Sequence, residues 1–152
     1  MKIAMVILAA TAAAGCAVPM PAGYVEVPEA LDYEWRGISA EGVVIGLRIR
    51  DNEPEGTIDF WSTVMRRELE GQRGYTMTGS KDVPAGTLTG SALHFTVPGA
   101  IPKAYWIALF STRGRFLVFT WPTITTFEIG GPREAVEKDL PALKAFLLKL
   151  KL

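Results

Sequence analysis

The side chains that most often do chemistry are scarce in this chain. One cysteine and one histidine, Cys16 and His94, occur in 152 residues. That removes an intramolecular disulfide, a cysteine and histidine cluster for zinc, and the usual basis for a histidine-assisted thiol nucleophile. No GxSxG elbow is present, and the glycines of "GGP" at Gly130 to Pro132 lack both the spacing and the lysine of a phosphate-binding loop. Sixteen basic side chains balance sixteen acidic ones without a long run of either sign, so there is no basic footprint for nucleic acid. Long apolar runs are missing too. The uncharged stretch from Ile3 to Ala14, even extended to Pro19, is shorter than the roughly 20 residues that cross a bilayer. Neither a metal nor an organic cofactor is implied.

What the first residues do contain is an address. "MKIAMVILAATAAAGC" places one positive charge at Lys2 ahead of an apolar stretch that ends in small residues, the layout of a secretory leader over residues 1–15. Ala13, Ala14, Gly15 and Cys16 resemble the lipobox of bacterial lipoproteins, with Ala13 where a leucine is usual. Small residues let an extended segment enter a narrow peptidase cleft, and the thiol forms the thioether to diacylglycerol. The resemblance implies cleavage between Gly15 and Cys16, acylation of Cys16 and attachment of the chain to a membrane. Two or three acyl chains, at about 0.8 kcal/mol per buried methylene, give stable anchoring. The alternative is an ordinary leader cut after Ala14 or Ala17, with Cys16 incidental. Residues 16–32, with three prolines in "AVPMPAGYVEVPEALD", read as an extended tether. Ala17 in place of an aspartate leans the expected location toward the outer membrane, facing the periplasm.

The globular domain is expected over residues 33–152. "YEWRGIS" and "VVIGLRIR" alternate as a strand pair, with Val43, Ile45, Leu47 and Ile49 on one side and Arg48 and Arg50 on the other. "DNEPEG" is a loop. The period then changes in "TIDFWSTVMRRELEG", which predicts a helix capped by Thr57, ended by Gly71, and apolar along Trp61, Val64, Met65 and Leu69. Four strands should follow, "GYTMTGSKDV", "LTGSALHFTV", "AYWIALFST" and "RFLVFTW", the last two joined by a tight turn at Arg113 and Gly114. The near-continuous apolar character of "YWIALF" and "FLVF" implies central strands covered on both faces. The second cover is "GPREAVEKDLPALKAFLLKLKL", helical in period and expected to kink or divide at Pro141. The fold class is α+β, an antiparallel sheet of about six strands with a helix layer on each face.

That order of elements, with "NEPEGTIDFWSTVMRRELEGQRGYTMTG" and "GGPREAVEKDLPALKAFLLKL" at their positions, resembles the Mog1/PsbP-like superfamily and its DcrB-type bacterial lipoproteins. Members serve as accessory or assembly factors and share no single catalytic centre. The resemblance implies the fold and a non-catalytic role, whereas an activity does not travel with a fold.

The remaining candidates are surfaces. His94 in "ALHFTV" reads as a structural histidine beneath or beside the helical cover. Asp51, Glu53 and Glu55 read as a solvated loop beside a helix N-terminus, where negative charge is favourable. Trp35, Trp61, Trp106 and Trp121, with Tyr105 and Phe119, are candidates to line an aromatic groove between sheet and helix, Trp61 and Trp106 foremost. "WPTITTFEIGGP" is either a further strand or an exposed loop; as a loop it would offer Trp121, Thr123, Thr125 and Phe127 as a binding surface. The expected function is a membrane-anchored envelope lipoprotein acting as a protein-interaction module on an envelope protein partner. The alternative is a periplasmic binding module for a small apolar or lipid-like ligand. The mass of the mature N-terminal peptide tests the anchor. It should start at Cys16 and carry acyl mass, and Cys16→Ser should release the protein from the membrane; an unmodified peptide beginning at Gly15 or Val18 in soluble material would sink the lipoprotein reading.

Overall fold

Alternation along strand β6 (Lys103–Phe116) sends Trp106, Ala108 and Phe110 to one face and Ile107 and Leu109 to the other, and all five are buried. A strand that is apolar on both sides has to be covered on both. In the computed structural model, which describes residues 20–28 and 32–152, that cover is one helix per face. The sheet has seven strands, all neighbours antiparallel, in the order β1-β2-β3-β7-β6-β5-β4. They are β1 (Tyr24–Glu26), β2 (Trp35–Ser39), β3 (Val44–Asp51), β4 (Thr76–Ala85), β5 (Leu88–Val97), β6 and β7 (Phe119–Pro132).

Helix α1 (Ile58–Arg73) follows β3 and packs over β4, β5 and β6, burying Leu69 against Leu93, Phe95, Ile107 and Leu109. The Thr57 hydroxyl caps it, accepting a hydrogen bond from the Phe60 N–H at 3.2 Å. The helix runs past Gly71, where the sequence suggested it would stop. Gly74 ends it instead, in the left-handed conformation (φ 66°) that glycine adopts without a Cβ clash. Helix α2 (Arg133–Leu147) covers the other face, with Val136, Leu143 and Leu147 buried against Val43, Ile45, Trp106 and Phe127. Pro132 is its N-cap, and Pro141 lies within it without dividing it as expected.

Three other expectations are corrected. Part of the segment expected to be a tether, 16–32, belongs to the domain. Met20 packs against the core and Tyr24–Glu26 add a seventh strand to the expected six, paired with β2 and clasped to α2 where the Tyr24 hydroxyl donates to Asp139 at 2.7 Å. Cys16, the leader 1–15 and the first tether residues lie outside the described residues. The turn between β6 and β7 falls at Leu117 and Val118, not at Arg113 and Gly114. Gly114 is a strand residue opposite Trp121, and a Cβ there would run into the Trp121 ring.

Finally, "WPTITTFEIGGP" is β7, so it presents no exposed loop. Thr123, Thr125 and Phe127 point into the α2-side core and are buried, and only Trp121 of that candidate surface is exposed. Two threonine hydroxyls find a partner inside: Thr112 Oγ1 lies 2.8 Å from Thr123 Oγ1 and 2.7 Å from Thr125 Oγ1. Phe127 is the hub of an aromatic cluster, edge-on to Trp35 and Trp106 at ring-centroid distances of 5.9 Å and 6.4 Å and tilted against Phe146 at 6.3 Å. Phe127→Ala is therefore expected to destabilise the fold by about 3–5 kcal/mol, read as a lowered denaturant midpoint. A cost below ~1 kcal/mol would mean that this cluster is not the core.

Candidate functional site

Because α1 lies over β4, β5 and β6, the part of that face formed by β3 and β7 is left beside the helix and uncovered by it. Strand alternation puts Arg48 and Arg50 of β3, Ile124, Thr126 and Glu128 of β7, and Tyr105 of β6 on this side, facing Trp61, Met65 and Leu69 of α1. They line a cleft whose narrow part, beside the helix, encloses about 170 Å³. It continues as a shallower groove of about 630 Å³ past Tyr33, Arg36, Arg73 and Lys103.

The floor of this cleft is a half-buried polar cluster around Glu128. Register pairs Glu128 with Gly46 on β3 and with Ile107 on β6. Gly46 leaves the space that the Tyr33 ring occupies, since a Cβ there would collide with it, and Gly130 gives similar room beside Tyr105. Both tyrosine hydroxyls donate to Glu128 Oε2, at 3.2 Å from Tyr33 and 2.8 Å from Tyr105. The Arg48 guanidinium donates to the Tyr33 hydroxyl and sits 3.9 Å from the centroid of its ring. Arg48 Nε lies 3.1 Å from Glu128 Oε1 but is not aligned for a hydrogen bond, so charge rather than a directed bond joins that edge. Burial works against the Arg48 charge, and the hydrogen bond to Tyr33 and the Glu128 carboxylate outweigh it. Burial first, and then Glu128, push the Tyr105 hydroxyl far above its ordinary pKa.

The rim of the cleft carries an excess of positive charge, with Arg36, Arg50, Arg73 and Lys103 against Asp51 and Glu68. Arg73 is 4.0 Å from Glu68, while Arg36, Arg50 and Lys103 have no ion pair among the described residues. Arg36 keeps a buried Nε without a partner. Such a rim around an aromatic and apolar floor suits carboxylate-bearing ligands, because guanidinium forks match carboxylates in geometry and charge.

Trp61 lines this cleft and Trp106 does not, so the pair does not form one groove. Trp61 is clamped by Asn52, whose Oδ1 accepts from Trp61 Nε1 at 2.6 Å and from the Gly56 N–H at 2.8 Å. The fully buried Asn52 thereby organises the acidic loop between β3 and α1. Trp106 lies across the sheet beneath α2, where its Nε1 donates to His94 Nε2 at 2.8 Å. That bond needs the neutral imidazole. Burial, with Lys144 and Lys81 nearby, lowers the His94 pKa in agreement with it. Among the described residues, no group of three or more His, Cys, Asp or Glu is placed to hold a metal ion.

No family model matches the chain. A solved structure does. The cyanobacterial PsbP (CyanoP) of Synechocystis sp. PCC 6803, known from its solution structure, aligns with 84% of this chain and 80% of its own at a TM-score of 0.54 and 10% identity. The fold is PsbP-like. At that identity the likeness concerns the backbone alone.

Of the residues that line this cleft, the sequence pointed to Trp61 and offered Tyr105 among its groove aromatics, but it did not single out Tyr33, Arg48 or Glu128. The signal for Glu128 was present. A carboxylate inside the buried run "TITTFEIGG" needs a partner from another strand. His94 supplies the pH test. Its folded-state pKa is depressed, so the stability it contributes is present above about pH 6.5 and is lost as the pH falls below that value. The wild-type melting temperature should drop on acidification below pH ~6.5 more steeply than that of His94→Gln, whose amide can still accept from Trp106. Parallel curves for the two proteins would show that the imidazole is not buried in neutral form.

Proposed function

We propose that this chain is a lipid-anchored protein of the bacterial cell envelope, facing the periplasm, whose PsbP-like domain is a non-catalytic accessory module for another envelope protein. The anchor rests on the leader and the Ala13 to Cys16 pattern. The binding role rests on one observation above the others, the cationic cleft beside α1 with its preformed floor of Tyr33, Arg48, Tyr105 and Glu128. A site whose side chains are already locked by mutual hydrogen bonds loses little entropy on binding. Its partner is a protein segment bearing carboxylates, which the rim attracts at a distance and the aromatic floor holds on contact.

The alternative of a small apolar or lipid-like ligand has weaker support. The enclosed part of the cleft, about 170 Å³, falls short of the roughly 300 Å³ at which small-molecule pockets begin. The wider groove is lined by Arg36, Arg73, Lys103 and Glu128, which an apolar ligand would have to desolvate.

Photo-crosslinking in the native envelope tests the partner reading. A crosslinker at Lys103 on the rim should give one defined protein adduct, and one at Leu148 on the opposite face should not. Reversing Arg50 and Arg73 to glutamate together should weaken that association roughly 3- to 30-fold, since exposed charges contribute up to about 1 kcal/mol each, and added salt should mimic the effect. Adducts that are equal from both faces, or indifferent to the reversal and to salt, would refute the reading.

A further inference from the structure

Strands β6 and β7 outrun the sheet they belong to. Pairing of β6 with β5 ends at Leu109 opposite Ser91, and pairing of β7 with β3 ends at Thr123 opposite Asp51. Beyond those points, apart from the Asn52 N–H that donates to the Pro122 carbonyl at 3.0 Å, the two strands pair only with each other, from Arg113 opposite Pro122 to Phe116 opposite Phe119. The result is a two-stranded arm reaching about 14 Å past the sheet, at ~3.4 Å per residue. Its tip is the sequence Phe116, Leu117, Val118, Phe119, exposed to 67%, 73%, 86% and 69%.

This tip is poorly chosen as a turn. Two-residue hairpin turns require positive φ, which glycine and asparagine supply without strain. Here Leu117 adopts φ 54°, a left-handed conformation that is strained for a branched apolar residue. Among the described residues nothing offsets it, because these four side chains stand exposed at the tip. Strain and exposed apolar area at one spot, with no internal return, point to a use outside the domain.

Immediately behind the tip come Arg113 and Arg115. The Arg115 Nε–H donates to the Leu117 carbonyl at 3.2 Å and so satisfies a backbone acceptor of the turn. Farther back, where Trp121 Nε1 donates to Asp51 at 3.1 Å, the acidic loop with Glu53 and Glu55 begins. From the tip inward the order is apolar, cationic, aromatic, anionic.

We propose that the arm is a membrane-insertion element: Phe116 to Phe119 enter the acyl boundary of a bilayer, and Arg113 and Arg115 sit among anionic lipid phosphates. A membrane surface is favoured over a protein by shape and by order. A tip of four residues on a narrow arm offers far less than the ~800 Å² per partner that a stable protein interface needs. Interfacial insertion, by contrast, requires no complementary concavity and only about 5–10 Å of depth. Arg113, three residues behind Phe116, lies about 10 Å from it along the strand, at the level of the phosphates. The acidic loop at the base is repelled by the same phosphates, which limits insertion to the arm.

The arm stands independently of the lipid-anchor reading. Met20 packs over Gly37, whose partner Ile45 lies six residues along β3 from Asp51 at the base of the arm, roughly 20 Å at ~3.4 Å per residue.

The test separates the two readings. In the full chain, Cys16→Ser removes the lipidation site and every cysteine, so Val118→Cys can carry a unique polarity-sensitive dye. With vesicles of phosphatidylglycerol and phosphatidylethanolamine the dye should shift to the blue and brighten. Binding should be roughly 10- to 30-fold weaker on phosphatidylcholine vesicles, or after Arg113→Gln with Arg115→Gln, at ~1 kcal/mol per basic residue. Phe116→Ser with Phe119→Ser should abolish the shift. Leu117→Gly should raise the unfolding midpoint while weakening binding, a pairing that a purely structural turn would not produce. No shift on any vesicle, a shift that survives the serine substitutions, or lipid-independent self-association through the tip would each overturn the proposal. Failure of Cys16 to be acylated would leave this result untouched.

Discussion

The burial of β6 on both faces governs the architecture. Trp106, Ala108 and Phe110 cannot face water on one side, nor Ile107 and Leu109 on the other. Two helices are needed, and they differ in what they leave open. α2 is centred over β6 and β7 and builds the larger core, with Phe127 at its middle and most of the aromatic contacts. α1 is displaced toward β4 and β5, so the β3 and β7 side of its face is left as a cleft. The asymmetry between the two helices creates the candidate site.

Once that side is open, its residues have to be polar and yet remain fixed. The Glu128 cluster meets both demands. One carboxylate oxygen accepts two phenolic hydrogens, and an arginine beside it supplies the opposite charge. Gly46 and Gly130 complete the arrangement by giving up their side chains to the two tyrosine rings. A partly solvated cluster of this kind contributes modestly to stability, but it fixes side-chain positions at the floor of the cleft.

Much of this was legible in the sequence, and the failures have physical reasons. Helix α1, β5 and the alternation of β3 follow from local periodicity, which is decided within a few residues. "FLVF" was misread because an apolar run looks the same in a buried strand and at an exposed tip, and because Arg113 and Gly114 carry better turn chemistry than Leu117 and Val118. Gly114 is instead there for the Trp121 ring on the neighbouring strand. The tyrosine, arginine and glutamate cluster depends on cross-strand register between residues as distant as Tyr33 and Glu128, which no local pattern encodes. Strand β1 was hidden for a similar reason. The prolines and glycine that flank it suggest a linker, and only its pairing with β2 and the bond from Tyr24 to Asp139 draw it into the sheet.

That bond joins the first described strand to the last helix. The larger core needs Val136, Leu143, Leu147 and Leu150, so it stays open to solvent until α2 and the residues just after it have docked. A polypeptide emerging amino end first from a narrow pore would have all seven strands outside before the helix that covers half of them. Its apolar sheet face would be bare during that interval, and its assembly is dominated by pairings between distant segments, which form slowly. Formation of the sheet and closure of its larger core are then separate events in time, and the face around Phe127 and Trp106 is bare between them.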